Sequence, residues 1–393
     1  MTLEPTVTSA GAARRPWQVV VVGAGPAGAL AARELARLDR AVLLVDRARF
    51  PRWKVCGCCL NVRALATLAA VGLADLPARH AAVPLDSVLV AAPGCRTRLP
   101  LPGGVALSRE AFDAALVEAA ISAGAAFLPG TYARLGPATA GGREIALTQG
   151  KETVTVRAQL VLAADGLGGQ FLAGAGASTS PPTESSRVGA GVMAGDGPDC
   201  FGRGCVYMAC GTGGYVGLVR VEDGRLNVAA AFDREAVRRA GGPGEAAARI
   251  LREAGLPAVP RLAELPWRGT PPLTRTASRL ACERVLVLGD AAGYVEPFTG
   301  EGMAWALASA AAVAPLAAHA ARCWQPSAGR AWATLHRRLV ADRQLTCRLV
   351  AATLRHPRLT RAAVRALGLL PGLAAPVIRR LNAAPAFPGG AAP

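Results

Sequence analysis

The chain has 393 residues, 52% of them hydrophobic, and a formal net charge of +17, which is enough for two domains or for one large core with an inserted layer. Lys54 and Lys151 are its two lysines, and residues 311–393 hold twelve arginines against one acid, Asp342, a local net charge of +11 with no aromatic platforms interleaved; that pattern argues against a nucleic acid partner. Ten cysteines without an export signal point to a reducing compartment rather than a disulfide framework, and none of the four histidines stands at a zinc-ligand spacing from the cluster Cys56, Cys58, Cys59, so no metal site is expected.

Residues 1–16 are small and polar and lack the apolar stretch of a signal peptide, which predicts a disordered lead on a cytoplasmic protein. The β-branched run Val19–Val22 then reads as a buried parallel strand. It enters Gly23-Ala24-Gly25-Pro26-Ala27-Gly28, an Ala/Leu/Arg-rich helix follows, and a second apolar run, Ala41–Val45, ends in Asp46 and Arg47. Strand, glycine turn, helix and acid arriving in that order predict a dinucleotide site. The glycines allow backbone to approach a pyrophosphate, the helix N-terminus offers unpaired N–H groups, and Asp46 is placed to accept hydrogen bonds from a ribose.

Residues 47–61 form a loop by composition, leading to a helix over Val62–Val71 closed by Gly72. Val83–Ala106 reads as antiparallel strands, and Ser108 caps a helix running to about Ser122. Strand-like pieces follow at Ala125–Thr131, Glu144–Thr148, Thr153–Val156 and Leu160–Ala164, the last ending in Asp165-Gly166. From Val188 to Phe232 short alternating segments surround Asp223-Gly224, a hairpin signal. Val285–Leu288 is again fully apolar, followed by Gly289-Asp290 and a long helix from Gly302, read as buried because it is mostly alanine and contains Pro315. Parallel-type strands at both ends with antiparallel pieces between predict an α/β chain with a discontinuous nucleotide domain (17–80, 107–165 and 280–320). A mostly antiparallel substrate domain takes 81–106 and 166–279, and an Arg-rich helical segment takes 321–385.

Taken together, the first β-α-β unit, Arg109, Asp165-Gly166, and Gly289-Asp290 with Pro297-Phe298-Thr299-Gly300-Glu301-Gly302 resemble the flavoprotein superfamily that includes para-hydroxybenzoate hydroxylase, and within it the geranylgeranyl reductase family. The resemblance covers about residues 17–320 and implies a Rossmann-like FAD-binding domain with an inserted β substrate domain. It further implies that Arg109 contacts the FAD, that Asp165-Gly166 serves FAD and NAD(P)H, that Asp290 binds the ribityl hydroxyls, and that Pro297–Gly302 wraps the flavin ring. A helix beginning at Gly302 would also aim its amides at the edge of the ring where negative charge develops on reduction.

Lys54-Val55-Cys56-Gly57 resembles the reductases' Lys-x-Cys-Gly motif, which the family continues with glycines where this chain has Cys58 and Cys59. The thiols could carry electrons, attach the cofactor, or simply line a pocket. A thiolate role would need a lowered pKa, for which Lys54 and Arg52 are candidate causes. The reductases' Tyr-x-Trp-x-Phe-Pro motif is reduced here to Tyr215 within Gly214–Val219, and the Trp-rich signature of flavin-dependent halogenases is absent. Lys54, Cys56 and Tyr215 are thus the catalytic candidates, with Tyr207 a second tyrosine that could orient substrate. A single nucleotide fingerprint implies that NAD(P)H visits transiently or that a partner supplies electrons. The expected reaction is NAD(P)H-fed hydroxylation of a hydrophobic small molecule through a flavin C4a-hydroperoxide. Reduction of a carbon–carbon double bond stands next to it, with halogenation or a non-catalytic flavoprotein as further alternatives. The C-terminal arginines fit either the inner face of an anionic membrane or a solvated helical cap.

Overall fold

The apolar run that opens the fold, Trp17–Val22, lies at the centre of an eight-stranded sheet. It pairs in parallel with Val42–Val45 on one side and Glu152–Ala163 on the other; these pair in parallel with Ala126–Leu128 and Val285–Val287 respectively. The computed structural model describes residues 2–172, 186–195, 197–277 and 279–383. Met1 of the lead, residues 173–185, 196 and 278 of the expected substrate domain, and 384–385 of the C-terminal segment fall outside them.

The central strands are apolar on both faces because both faces are covered. Helices Pro26–Arg37, Arg109–Ser122 and Gly302–Ala320 pack on one side, where Val19, Val21 and Leu44 meet Leu30, Phe112 and Leu307 at essentially zero exposure. Each such fully buried apolar side chain stabilises the fold by roughly 1.5–3 kcal/mol. Trp332, from the helix Pro326–His336, inserts into the same core and donates Nε1–H to the Val287 carbonyl at 2.8 Å, which ties the C-terminal helices to the nucleotide sheet.

Two expectations change here. The strand pieces 153–156 and 160–164 are one strand, Glu152–Ala163, whose first half pairs antiparallel with Gly142–Gln149 and whose second half joins the parallel sheet. Its burial alternates in the first half and is continuous in the second, so one strand carries two sequence patterns. The lead is not disordered. Leu3 N bonds the Phe50 carbonyl at 2.9 Å, Thr6 N bonds the Phe127 carbonyl at 3.0 Å, and Trp17 Nε1 bonds the Ala12 carbonyl at 2.9 Å. Burial of Leu3 and Ala12 with these bonds holds a segment whose polar composition hides its docking.

A second sheet of seven strands runs in the spatial order Arg268–Pro272, Val188–Ala194, Leu226–Phe232, Gly214–Arg220, Cys205–Gly211, Ser87–Ala92, Cys95–Pro100. Every pairing in it is antiparallel except Cys205–Gly211 with Ser87–Ala92. Helix Pro243–Glu253 covers one face, packing Ile250 and Leu251 on Val216 and Val228. The other face looks toward the C-terminal ends of the parallel strands, and between the two lies the main cavity.

Candidate active site

The cavity has a volume of about 550 Å³. It sits where ligands collect in open α/β sheets, outside the carboxyl ends of the strands. One wall is backbone-rich. Gly23 takes φ +101° to leave the first strand, and a Cβ on Gly28 would run into the Gly23 carbonyl, so these two positions need glycine. The turn delivers helix Pro26–Arg37 with Gly25 as its N-cap, no side chain capping it, and Gly25, Pro26 and Ala27 on the cavity. Its free N–H groups face the same space as Arg47 and Arg109. Arg109 is 6% exposed and holds the fully buried Asp113 through both carboxylate oxygens at 2.8 and 2.7 Å, while Arg52 stands 3.2 Å from that carboxylate.

Asp165 and Gly166 line the wall at the end of the long strand. Asp165 accepts the Phe171 N–H at 3.0 Å, and burial raises its pKa. Gly289 and Asp290 begin a single 3-10 turn on the cavity, followed by Pro297, Gly300 and Gly302. Helix Gly302–Ala320 therefore opens on this space as well, again with no side chain capping its N-terminus.

Three predicted positions differ. Asp46 does not line the cavity; its carboxylate accepts N–H from Ala24 at 2.7 Å and from Ala48 at 2.8 Å, so it braces the glycine turn from behind. Glu301 is buried with its carboxylate turned away, near Cys347 Sγ at 3.4 Å, because the following helix fixes its backbone while the C-terminal helices surround its side chain. Tyr207 is structural: its hydroxyl accepts the Gly202 N–H at 3.0 Å and donates to the Cys200 carbonyl at 3.2 Å.

Lys54, Cys56, Cys58 and Cys59 border the cavity on the loop between its two walls. Burial lowers the Lys54 pKa, with Arg109 adding to the effect and Asp290 opposing it. Among the described residues no hydrogen bond or ion pair holds its Nζ. The Cys56 thiol is pushed down to about 6, chiefly by its hydrogen bond with Cys58 and, against burial, by Arg109; the Cys58 N–H also points to Cys56 Sγ at 3.4 Å. The causes expected from the sequence, Lys54 and Arg52, give way to Cys58 and Arg109. Cys58 is raised by that same hydrogen bond and by burial, and burial pushes Cys59 up to about 12, so Cys56 is the one thiol of the three whose pKa is lowered.

The opposite wall is apolar. Met208, Gly217 and Ala229 are register partners across three neighbouring strands, and all three line the cavity beside Val206, Val219 and Leu273. Tyr215 lines it too, its ring 5.1 Å from Phe298 and its buried hydroxyl without a hydrogen-bond partner among the described residues; burial raises its pKa far above the usual range. The sequence reading missed Tyr294, which shares this wall, and Arg187, 1% exposed, which ties Asp233 (3.0 Å) to Glu296 (2.8 Å) and donates to the Leu354 carbonyl at 3.2 Å. Tyr294 could have been found from its place between Gly289-Asp290 and Pro297; for Arg187 no sequence signal exists.

Residues 16–346 match the family described as FAD binding domain. The chain belongs to that family. It is a FAD-dependent oxidoreductase, and its fold neighbours include a reductase-like protein and a monooxygenase. Digeranylgeranylglycerophospholipid reductase 2 of Methanopyrus kandleri is 30% identical over 301 residues, 73% of each chain. A menaquinone reductase of Mycolicibacterium smegmatis is 44% identical over 88 residues, 22% of this chain, so the match spans 20% of that relative's length. A geranylgeranyl bacteriochlorophyll reductase-like protein of Thermoplasma acidophilum superposes with a TM-score of 0.71 at 20% identity, over 88% of this chain and 90% of its own. The p-nitrophenol 4-monooxygenase of Pseudomonas putida gives 0.74 at 17%, over 93% and 98%. These two likenesses show the fold. For this FAD-binding chain the cavity fits the cofactor: two uncapped helix N-termini and two arginines face one space, the arrangement that a pyrophosphate and a reduced flavin ring both require.

Proposed function

We propose that this flavoprotein reduces a carbon–carbon double bond in a hydrophobic, lipid-soluble substrate, with NAD(P)H as the electron donor. The observation that carries the reading is Lys54, whose unpartnered Nζ stands on the cavity between the cofactor wall and the apolar wall, with a pKa lowered by burial. Bound FAD would supply the hydride equivalent once reduced. The chain's own part is to hold and position. The glycine turn, Arg47 and Arg109 take the pyrophosphate side, Asp290 and Asp165-Gly166 the middle, and Pro297, Gly300 and Gly302 the ring. Lys54 donates the proton that completes saturation, since an ammonium with a depressed pKa is a better acid near neutral pH. The rung Met208, Gly217, Ala229 seats an apolar substrate and excludes water. Two sequence relatives carry the word reductase in their names, which supports the direction of the chemistry.

Hydroxylation is the second reading, favoured by a specific departure: of the reductases' aromatic motif only Tyr215 is kept. NAD(P)H oxidation with isoprenoid quinones and prenylated lipids, run with and without oxygen, separates the two. Anaerobic saturation of the substrate supports reduction. Turnover that stops without oxygen and yields a hydroxylated product overturns it.

A further inference from the structure

Nine large apolar side chains are exposed among the described residues, and seven of them fall in one stretch: Leu345, Leu349, Leu359, Leu369, Leu370, Leu373 and Val377. The stretch includes two helices, Pro357–Leu369 and Ala375–Asn382, and the chain bends by 118° between them, so the pair makes a corner rather than a span. Leu369, Leu370 and Leu373 sit at that corner, Leu369 at 83% exposure. Exposed arginines flank it: Arg358, Arg361 and Arg365 before it and Arg379 after it, none of them ion-paired to a described residue.

We propose that this corner docks on the surface of an anionic lipid bilayer, the leucines entering the headgroup boundary and the arginines meeting the lipid phosphates. The chemistry selects that occupant. A segment carrying +11 repels a second copy of itself, and leucines without aromatic platforms do not suit a nucleic acid. A cluster of arginines around protruding apolar side chains is the pattern that gains from both an anionic surface and an apolar boundary. The corner is also attached to the active site. The buried side of helix Pro357–Leu369 places Val364 in the same apolar cluster as Met208, Tyr215, Leu273 and Phe298, so the membrane-facing helix packs on the cavity-side face of the sheet, beside the apolar wall. A bilayer docked there would bring a lipid-soluble substrate to that side of the enzyme. This consequence rests on the proposed substrate class; the docking itself does not.

The test is co-sedimentation of the FAD-loaded protein with vesicles of phosphatidylcholine alone or mixed with phosphatidylglycerol. Binding is expected to be at least tenfold stronger to the anionic vesicles and to fall steeply with salt, since each arginine near an anionic surface contributes roughly a fivefold gain. The double variant Leu369→Glu, Leu373→Glu should lose on the order of tenfold in binding, and Arg358→Gln, Arg361→Gln, Arg365→Gln together should lose more and flatten the salt dependence. Unchanged FAD content and melting temperature establish that the variants fold. Failure of the wild type to bind, equal binding to both vesicle types, or full binding by the leucine variant overturns the proposal. So does light scattering that shows a dimer which the leucine variant dissociates, because the corner then belongs to a second copy. If the reductase reading fails, turnover assays lose their product while vesicle binding stands.

Discussion

The two walls of the cavity are built on different principles. The cofactor wall is made of backbone: uncapped helix N-termini, the glycine turn, and charges such as Arg109 already locked to Asp113. The opposite wall is made of side chains on a sheet, Met208, Gly217, Ala229 and Tyr215, with little polar machinery. Backbone donors fixed by secondary structure give tight binding of one constant ligand, whereas side chains on a regular sheet can be exchanged without disturbing the strands. Cofactor affinity and substrate choice should therefore be separable by mutation.

The largest effect is expected where the cofactor wall is cut. Arg109→Met leaves Asp113, fully buried, with Arg52 as its remaining ion-pair partner among the described residues; the cost is about 3 kcal/mol, read as a drop in melting temperature together with loss of bound FAD. A variant that keeps both would show that the wall does not depend on this pair. Lys54→Met comes next and sharpens the comparison, because Lys54 lies between the walls. It should retain FAD while kcat falls about 10²- to 10⁴-fold; an unchanged kcat removes Lys54 as the proton donor. On the apolar wall, Gly217→Leu would bring a side chain against Met208, whose Sδ lies 3.1 Å from a Cβ at that position. A roughly tenfold rise in KM at constant FAD content is expected, the scale of one or two lost apolar contacts, and loss of FAD from this variant would contradict the separability of the walls.

The pH behaviour of Cys56 gives a smaller, graded signal. Its folded pKa is about 6 against an ordinary 9.0. The thiolate contributes stability that is fully present above the ordinary value and is lost as pH falls through about 6. Iodoacetamide labelling of Cys56, followed by peptide mass, should rise through about pH 6 and then level off. A rate still climbing at pH 8 would mean an unperturbed thiol. The smallest effect belongs to Tyr207→Phe, which removes hydrogen bonds remote from the cavity. It should cost about 1 kcal/mol in denaturant unfolding and leave turnover untouched; a change in turnover would return Tyr207 to the site.

The cofactor wall was largely legible in the sequence because its determinants are local. A glycine turn after an apolar strand, or Gly289-Asp290 after another, carries its geometry within a few residues, and the parallel strands announced themselves by unbroken apolar runs. The apolar wall was not. Met208, Gly217 and Ala229 become neighbours only through strand register, which no short window contains. Glu301 was legible as part of the Pro297–Gly302 segment while the surroundings of its carboxylate were not, since Cys347, which stands beside it, comes 46 residues later. The docking of the lead through Leu3 and Thr6 was hidden for a related reason: a few backbone bonds hold a segment with almost no apolar pattern. Arg187 joins Asp233, Glu296 and Leu354, and those partners span more than a hundred residues of chain.

The central claim is that one cavity holds FAD on its backbone wall and a hydrophobic, reducible substrate on its apolar wall. Its most direct test is a single-turnover experiment on the photoreduced FAD-loaded protein, mixed without oxygen with a prenylated quinone or lipid while the flavin absorbance is followed. Substrate-dependent reoxidation of the flavin, with one double bond saturated per flavin reoxidised, is the predicted result. A flavin that stays reduced until oxygen is admitted, and then yields a hydroxylated product, would contradict it.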